Sequence, residues 1–380
     1  MKLFSRRVFP FFAGLLLLVL LAACGSANGS GTGSSGNSTP TTANKGKGCT
    51  KVGVLLPETA SSARWDGQDR PLLTQDIKTA LGSNATVDYA NAGGVQATQQ
   101  TQAEADLTKG DCILVVAPND AAQAATIVTS AKAQGVPVIS YDRLIQSSDL
   151  SYYVSFDNVQ VGKLQGQYIA DHYKSYVSSG HNNTVMINGA QTDNNALLFY
   201  QGAISVLQPL YDSKTLTKVY DQYTPQWDNA TAQTEMEGAL TSHKNDIQIA
   251  YVANDGMANS VIAALKAQHL NGKVLVTGQD ATVAGIQNIL LGNQSMTVYK
   301  AISKEAQATA DLVKAISQGT STSSMTNGQT KTSTGAQIPS VLETPVAVDK
   351  SNIATTVLAD GFVKKSDICQ NVPAGTDNIC

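Results

Sequence analysis

The chain has 380 residues, 42% hydrophobic and 14% charged, with 26 Lys and Arg against 29 Asp and Glu. That apolar content excludes a disordered polar chain, and the acidic balance excludes a strongly basic nucleic-acid binder. The length beyond the leader suits two domains of about 150 residues each.

Residues 1–23 read as a signal peptide. Lys2, Arg6 and Arg7 form a positive start, and the dense apolar run Phe11 to Ala23 is shorter than a membrane span of about 20 residues. It ends in Leu21-Ala22-Ala23-Cys24, which resembles a lipoprotein lipobox and makes Cys24 the expected lipidated residue and membrane anchor. Ser5-Arg6-Arg7-Val8-Phe9 also resembles a twin-arginine export motif, so the export route stays open. Residues 24–48 then read as lipidated Cys24 and a flexible tether of Gly, Ser, Thr, Asn and Pro. Its Gly31-Thr32-Gly33-Ser34-Ser35-Gly36 is a formal dinucleotide fingerprint without the flanking strand and helix that the fingerprint needs.

From residue 51 short apolar strands alternate with amphipathic helices. Strands are expected at Lys51–Leu56, Thr86–Ala90, Ile113–Ala117, Val136–Ser140 and Tyr152–Ser155, with helices near 66–81, 95–109, 120–134 and 159–177. The second half repeats the theme, with strands near 184–188, 216–221, 247–252, 273–277 and 295–299. Its helices are expected near 194–208, 228–242, 256–268, 281–291 and 303–318. Such alternation implies parallel sheets with right-handed crossovers, here as two doubly wound α/β lobes. The Ser/Thr/Gly-rich stretch 319–337 reads as a surface loop.

Besides Cys24, four cysteines remain: Cys49, Cys112, Cys369 and Cys380. Outside the cytoplasm an even number invites disulfides. Cys49 precedes the first strand and Cys112 the third; if those strands are parallel neighbours, the two cysteines sit one strand spacing apart. Cys369 and Cys380 would then close the tail, with free thiols as the alternative. No CxxC or Cys/His cluster points to a metal, and no cofactor is expected.

In open α/β sheets ligands bind beyond the carboxyl ends of the strands. Those ends carry Arg64-Trp65, Pro118-Asn119-Asp120, Tyr141-Asp142-Arg143 and Phe156-Asp157-Asn158 in the first half. In the second half they carry Asp193-Asn194-Asn195, Trp227-Asp228, Asn254-Asp255, Gln279-Asp280 and Tyr299-Lys300. Carboxylates and amides accept hydrogen bonds, Arg and Lys donate them, and Trp offers a flat face to a sugar ring. Each has a blander reading: a turn ion pair for Asp142-Arg143, helix N-caps for Asp193 and Asp228, core for Trp65 and Trp227, a strand-to-helix turn for Asn254-Asp255, a solvated lysine for Lys300.

Arg64-Trp65, Ser140-Tyr141-Asp142-Arg143-Leu144-Ile145, Tyr153-Val154-Ser155-Phe156-Asp157-Asn158 and Asp193-Asn194-Asn195-Ala196 resemble, in order, the D-xylose-binding proteins of bacterial sugar uptake. So do Ala253-Asn254-Asp255, Gly278-Gln279-Asp280-Ala281 and Met296-Thr297-Val298-Tyr299-Lys300. The resemblance runs from about 51 to 365 and implies the type 1 periplasmic binding protein fold, two lobes joined by three hinge crossings. These are placed near Asp157, Lys300 and 340, giving an N-terminal lobe of 49–157 plus 301–340 and a C-terminal lobe of 158–300 plus 341–380. It implies ligand contacts at Arg64, Asp142, Arg143, Asp193, Asn195, Trp227, Asn254, Asp280 and Lys300, with Trp65 stacking opposite Trp227. Asp157 is expected to be a hinge residue. Pro57 to Ser62 and Thr224-Pro225-Gln226 depart from the family pattern and bear on which sugar is bound.

The implied function is a lipid-anchored, monomeric receptor on the extracytoplasmic face, with a monosaccharide ligand and an ABC permease as partner, no nucleic acid and no catalysis. A sensor serving a chemoreceptor or kinase, and an exported glycosidase, are the competing readings.

Overall fold

Apolar runs build the sheet interiors in the computed structural model, which describes residues 45–380. The first run of elements is β1 (Lys51–Leu56), α1 (Arg70–Leu81), β2 (Thr86–Asn91), α2 (Gln96–Lys109), β3 (Ile113–Val116), α3 (Ala125–Ala133), β4 (Val138–Tyr141) and β5 (Tyr152–Phe156). The second is α4 (Asn158–His172), β6 (Asn183–Asn188), α5 (Asn194–Asp212), β7 (Thr217–Tyr223), α6 (Asn229–Ser242), β8 (Ile249–Val252), α7 (Asp255–Ala267), β9 (Leu275–Val276), α8 (Val283–Leu290) and β10 (Thr297–Tyr299). The chain ends with α9 (Ile302–Gln318), β11 (Gly328–Lys331), β12 (Gln337–Glu343), β13 (Val346–Val348) and α10 (Lys365–Ile368). β3, β4 and β8 are buried at every position, as parallel strands covered on both faces must be.

The larger sheet has the order β11-β12-β5-β4-β3-β1-β2, and all its pairs are parallel except β11 with β12. The second sheet has the order β7-β6-β8-β9, all parallel. β10 lies beyond β9, through Ser295 N–H to Val276 O at 2.8 Å and Val298 N–H to Gly278 O at 3.1 Å. Each half therefore orders its strands second, first, third, fourth, fifth, the doubly wound pattern with a switch point at its first strand. These are two α/β lobes, and the chain passes between them after β5, after β10 and after β12. Asp157 sits at the first passage, where its N–H donates to Glu343 O at 2.9 Å and ties it to the third. Its side chain caps α4 through Gln160 N–H.

Three expectations need correction. The stretch 319–337 is not all loop: Gly328–Lys331 forms β11, an edge strand antiparallel to β12. Its sequence GQTK alternates between half-buried and exposed positions and carries no apolar residue to signal a strand. The third passage follows Glu343 rather than 340, because β12 stays paired with β5 as far as Glu343. Finally, residues 45–48 are no tether: they form a turn held by Lys45 N–H to Gly135 O at 2.9 Å and Gly48 N–H to Ser317 O at 2.7 Å. The signal peptide, Cys24 and the tether to residue 44 lie outside the described residues.

Cys49 is bonded to Cys112 with Cα atoms 5.5 Å apart, at the shared end of neighbouring strands β1 and β3. Cys369 is bonded to Cys380 with Cα atoms 5.3 Å apart, closing the tail over Val357, Val363 and Ile368. Among the described residues no helix is long and apolar enough to cross a membrane.

Candidate functional site

The carboxyl ends of both sheets face one cavity. It is lined by Ser61, Ser62, Phe199 and Gln279 together with Arg64, Trp65, Asp142, Arg143, Asp193, Asn195, Trp227, Asn254, Asp280 and Lys300. All ten residues singled out in the sequence thus meet in one place. Arg64, Trp65, Asp142 and Arg143 come from the first lobe; Asp193, Asn195, Trp227, Asn254 and Asp280 come from the second. Lys300 enters from the passage after β10.

The backbone is bent to bring them there. Asp142, Trp227 and Asp280 hold φ of 56°, 56° and 100°, a region L side chains rarely adopt, and such strain collects at functional sites. Trp227 needs a further concession: a Cβ on Gly189 would lie 2.2 Å from its indole, so only glycine lets the ring through. Phe199 meets that indole edge-on at 6.2 Å.

Asp142 is the hub. Its Oδ2 accepts from Arg64 Nη1 at 2.7 Å and from Lys300 Nζ at 3.0 Å, while Oδ1 accepts from Asn195 Nδ2 at 3.1 Å. Burial pushes its carboxyl up, but Arg64 and then Lys300 outweigh that and hold it well below the usual carboxylate range. Across the cleft Asp193 does two jobs. One oxygen caps α5 through Asn195 N–H at 2.9 Å; the other is ion-paired with Arg143 Nε at 3.0 Å and accepts from Trp227 Nε1 at 3.2 Å. The N-cap reading and the cavity reading of Asp193 are both true of this residue. Asp228 is the N-cap of α6 and does not line this cavity. Asn254 caps α7 through Met257 N–H while also lining the cavity. Asp280 accepts from Ser62 Oγ at 3.2 Å and from Gln279 Nε2, and lies 3.9 Å from Lys300 Nζ. Burial pushes both Asp193 and Asp280 up, against the pull of Arg143 and of Lys300 respectively.

Trp65 is 2% exposed. The guanidinium of Arg64 lies 4.7 Å from its ring centroid and that of Arg143 5.1 Å, and its Nε1 donates to Glu58 at 3.1 Å. Its contacts are thus two cations and a carboxylate.

Sequence reading passed over the groups that hold Arg64 in place. Asp69 accepts from Nε at 2.9 Å and Nη2 at 2.6 Å, Glu305 accepts from Nη2 at 3.0 Å, and Tyr141 donates to Asp69 at 2.6 Å. Burial, and then Asp142, push the Glu305 carboxyl well above its usual range. A signal for Glu305 did exist: it falls three residues after Ile302 and four before Thr309, on the inward face of α9.

The side chains leave only about 30 Å³ of free space between them, room for roughly two waters. What converges there is a set of donors and acceptors from two lobes with aromatic walls.

A family profile described as a periplasmic binding protein domain matches residues 53–321. The chain belongs to the type 1 periplasmic binding protein family. It is 37% identical over 321 residues to the D-xylose-binding periplasmic protein of Escherichia coli, covering 84% of this chain and 92% of that one. It is 34% identical over 330 residues to the multiple sugar-binding periplasmic receptor ChvE of Rhizobium radiobacter, covering 83% and 92%. Among solved structures, an ABC transporter solute-binding protein from Clostridium phytofermentans with bound β-D-glucose superposes with a TM-score of 0.76 at 31% identity, covering 84% of this chain and 99% of that chain.

Proposed function

We propose that this chain is the receptor of an ABC sugar importer. It binds a monosaccharide, D-xylose before other aldoses, between two lobes that close on it, and it works without catalysing a reaction. The observation that carries the reading is the cavity itself: charged hydrogen-bonding groups from both lobes converge on it, flanked by Trp65 and Trp227. A neutral polyol offers hydroxyls that can replace each of those partners, with charge-assisted hydrogen bonds once water is excluded. Relatives that carry sugar-binding names at 34–37% identity support the same class. On this reading Cys24 carries the lipid that keeps the protein at the membrane, and the closed form docks on a permease.

The test is calorimetric titration with D-xylose, L-arabinose, D-glucose and D-galactose, using the parent, Asp280→Ala and Lys174→Ala. Removing one buried charged partner costs about 2–5 kcal/mol, so Asp280→Ala should weaken binding roughly 30-fold or more at about 1.4 kcal/mol per tenfold. Lys174 is exposed on the surface, and its removal should leave the affinity unchanged. No heat with any aldose ends the sugar-receptor reading; equal affinity for Asp280→Ala and the parent removes Asp280 from the site.

A further inference from the structure

The sugar cavity does not end at its own wall. A second cavity of about 780 Å³ adjoins it and shares Ser61, Arg143, Asp193 and Trp227 with it. That volume falls within the range of about 300–1,000 Å³ typical of small-molecule sites. Both lobes build it: the first contributes residues 93–96 and 119–120, the second Ala190, Thr192 and residues 226–230. Two hydrogen bonds bridge the lobes beside it, Ala121 N–H to Thr192 O at 2.9 Å and Asn229 Nδ2 to Ala60 O at 3.3 Å. The space therefore lies between lobes in contact, not in an open cleft.

Three features of this second cavity point to a ligand. Its walls are amides and carboxylates that suit hydroxyls: Gln96, Asn119, Asp120, Gln123 and Asn229. Gln96 is anchored, its Oε1 accepting from Asp120 N–H at 2.9 Å, which fixes this side chain at the cavity wall. Consecutive residues Gln226 and Trp227 both hold φ of 56°, a strained turn that sets Trp227 on the border of the two cavities.

We infer that the second cavity is a second sugar subsite, so that the ligands of this protein include disaccharides as well as monosaccharides. The inference rests on the sugar-receptor reading. The first ring displaces the cross-cleft side-chain pairs that now fill the charged cavity, the glycosidic oxygen takes the place of the Arg143–Asp193 contact among the four shared residues, and the second ring lies against Gln96, Asn119 and Asn229.

The experiment titrates the full mature protein with D-xylose, xylobiose, D-glucose and cellobiose, each for the parent and for Ala230→Trp. Ala230 is exposed in the first turn of α6 and lines the second cavity but not the first, so an indole there intrudes on the subsite and leaves the first untouched. A disaccharide should bind the parent within about tenfold of its own monosaccharide. Ala230→Trp should weaken that disaccharide at least tenfold and change the monosaccharide less than twofold. Monosaccharide binding without disaccharide binding overturns the second subsite and leaves the receptor reading standing. Disaccharide binding that Ala230→Trp does not weaken places the second ring elsewhere and overturns it as well. Silence from all four sugars overturns both.

Discussion

Arg64 divides its guanidinium among three buried carboxylates, Asp69, Asp142 and Glu305, at 2.6–3.0 Å. Take it away and Asp69 and Glu305 lose their paired cation, with Lys300 left to serve Asp142 alone. Arg64→Ala should therefore destabilise the protein by about 3–5 kcal/mol, the usual result of orphaning buried charge, measured as a loss of urea-unfolding free energy. An unfolding curve that overlays the parent's would mean that the carboxylates had found protons or water instead. Only half of this clamp was legible in the sequence. Arg64 and Asp142 stand beside strand ends, where a ligand site is sought by rule, whereas Asp69 and Glu305 lie in helical turns and are brought inward by tertiary packing alone. Away from the site Asp111 poses the opposite problem. It is 1% exposed and neither carboxylate oxygen has a hydrogen-bond donor; Asp106 and Asp88 crowd it, while Lys51 stands 3.8 Å off. Burial first, then Asp106 and Asp88, push it up to about 7. A carboxyl whose folded pKa is raised contributes its full stability below about pH 4 and loses it as the pH rises towards 7. Asp111→Asn carries no charge to bury, so its stability relative to the parent should improve steadily from pH 4 to pH 8. A gap in melting temperature that stays constant over that range would sink this account.

Helices α4 and α5 cross at glycines. A Cβ on Gly162 would lie 1.9 Å from Phe199 O, and one on Gly202 would lie 2.0 Å from Val159 O. Backbone stands on both sides of the contact, so nothing flexible can yield. Gly202→Ala should cost roughly 1–3 kcal/mol by overpacking. It should also weaken sugar binding, because the first turns of α5 carry Asn195 and Phe199. Unchanged melting and unchanged affinity together would show that the helices can part freely. Apolar periodicity foretold both helices, yet a glycine inside a helix reads in sequence as a weakness; that it marks a close crossing emerges only when two helices meet. The strand β11 escaped for a related reason, since GQTK earns its place through backbone pairing with β12 rather than through any buried side chain. The Cys49–Cys112 cystine was easier to read, because it follows from β1 and β3 being parallel neighbours. Bonding Cys49 to Cys112 closes 63 residues of sequence, worth roughly 4 kcal/mol on the chain-entropy model. The Cys49→Ser, Cys112→Ser double variant should lose about that much in a denaturant melt, and a loss below about 1 kcal/mol would rule the model out here.

At the scale of the whole molecule the lobes meet through polar contacts. Arg143 to Asp193 at 3.0 Å, Asn195 to Asp142 at 3.1 Å, Ser62 to Asp280 at 3.2 Å and Asn229 to Ala60 O at 3.3 Å all span the cleft. Water replaces each of these when the lobes part, so each favours closure only by the net worth of one polar contact, about 0.5–1.5 kcal/mol. A ligand that touches both lobes supplies the difference, because it binds the closed form better than the open one. That linkage makes a contact remote from the sugar cavity matter to sugar affinity. Asn229 does not line that cavity, yet its hydrogen bond to Ala60 O exists only when the lobes are together. Asn229→Ala removes one ordinary hydrogen bond from the closed form, worth about 0.5–1.5 kcal/mol. The apparent dissociation constant for D-xylose should rise roughly twofold to tenfold, with the heat of binding to the closed form otherwise intact. Small-angle scattering supplies the independent measurement. Saturating sugar should contract the parent and Asn229→Ala to the same radius of gyration, and the variant should need more sugar to reach it. If neither protein contracts, the lobes do not move on binding. If the variant contracts at the parent's sugar concentration, the cross-lobe bonds carry no part of the closing equilibrium, and affinity is set within the charged cavity alone.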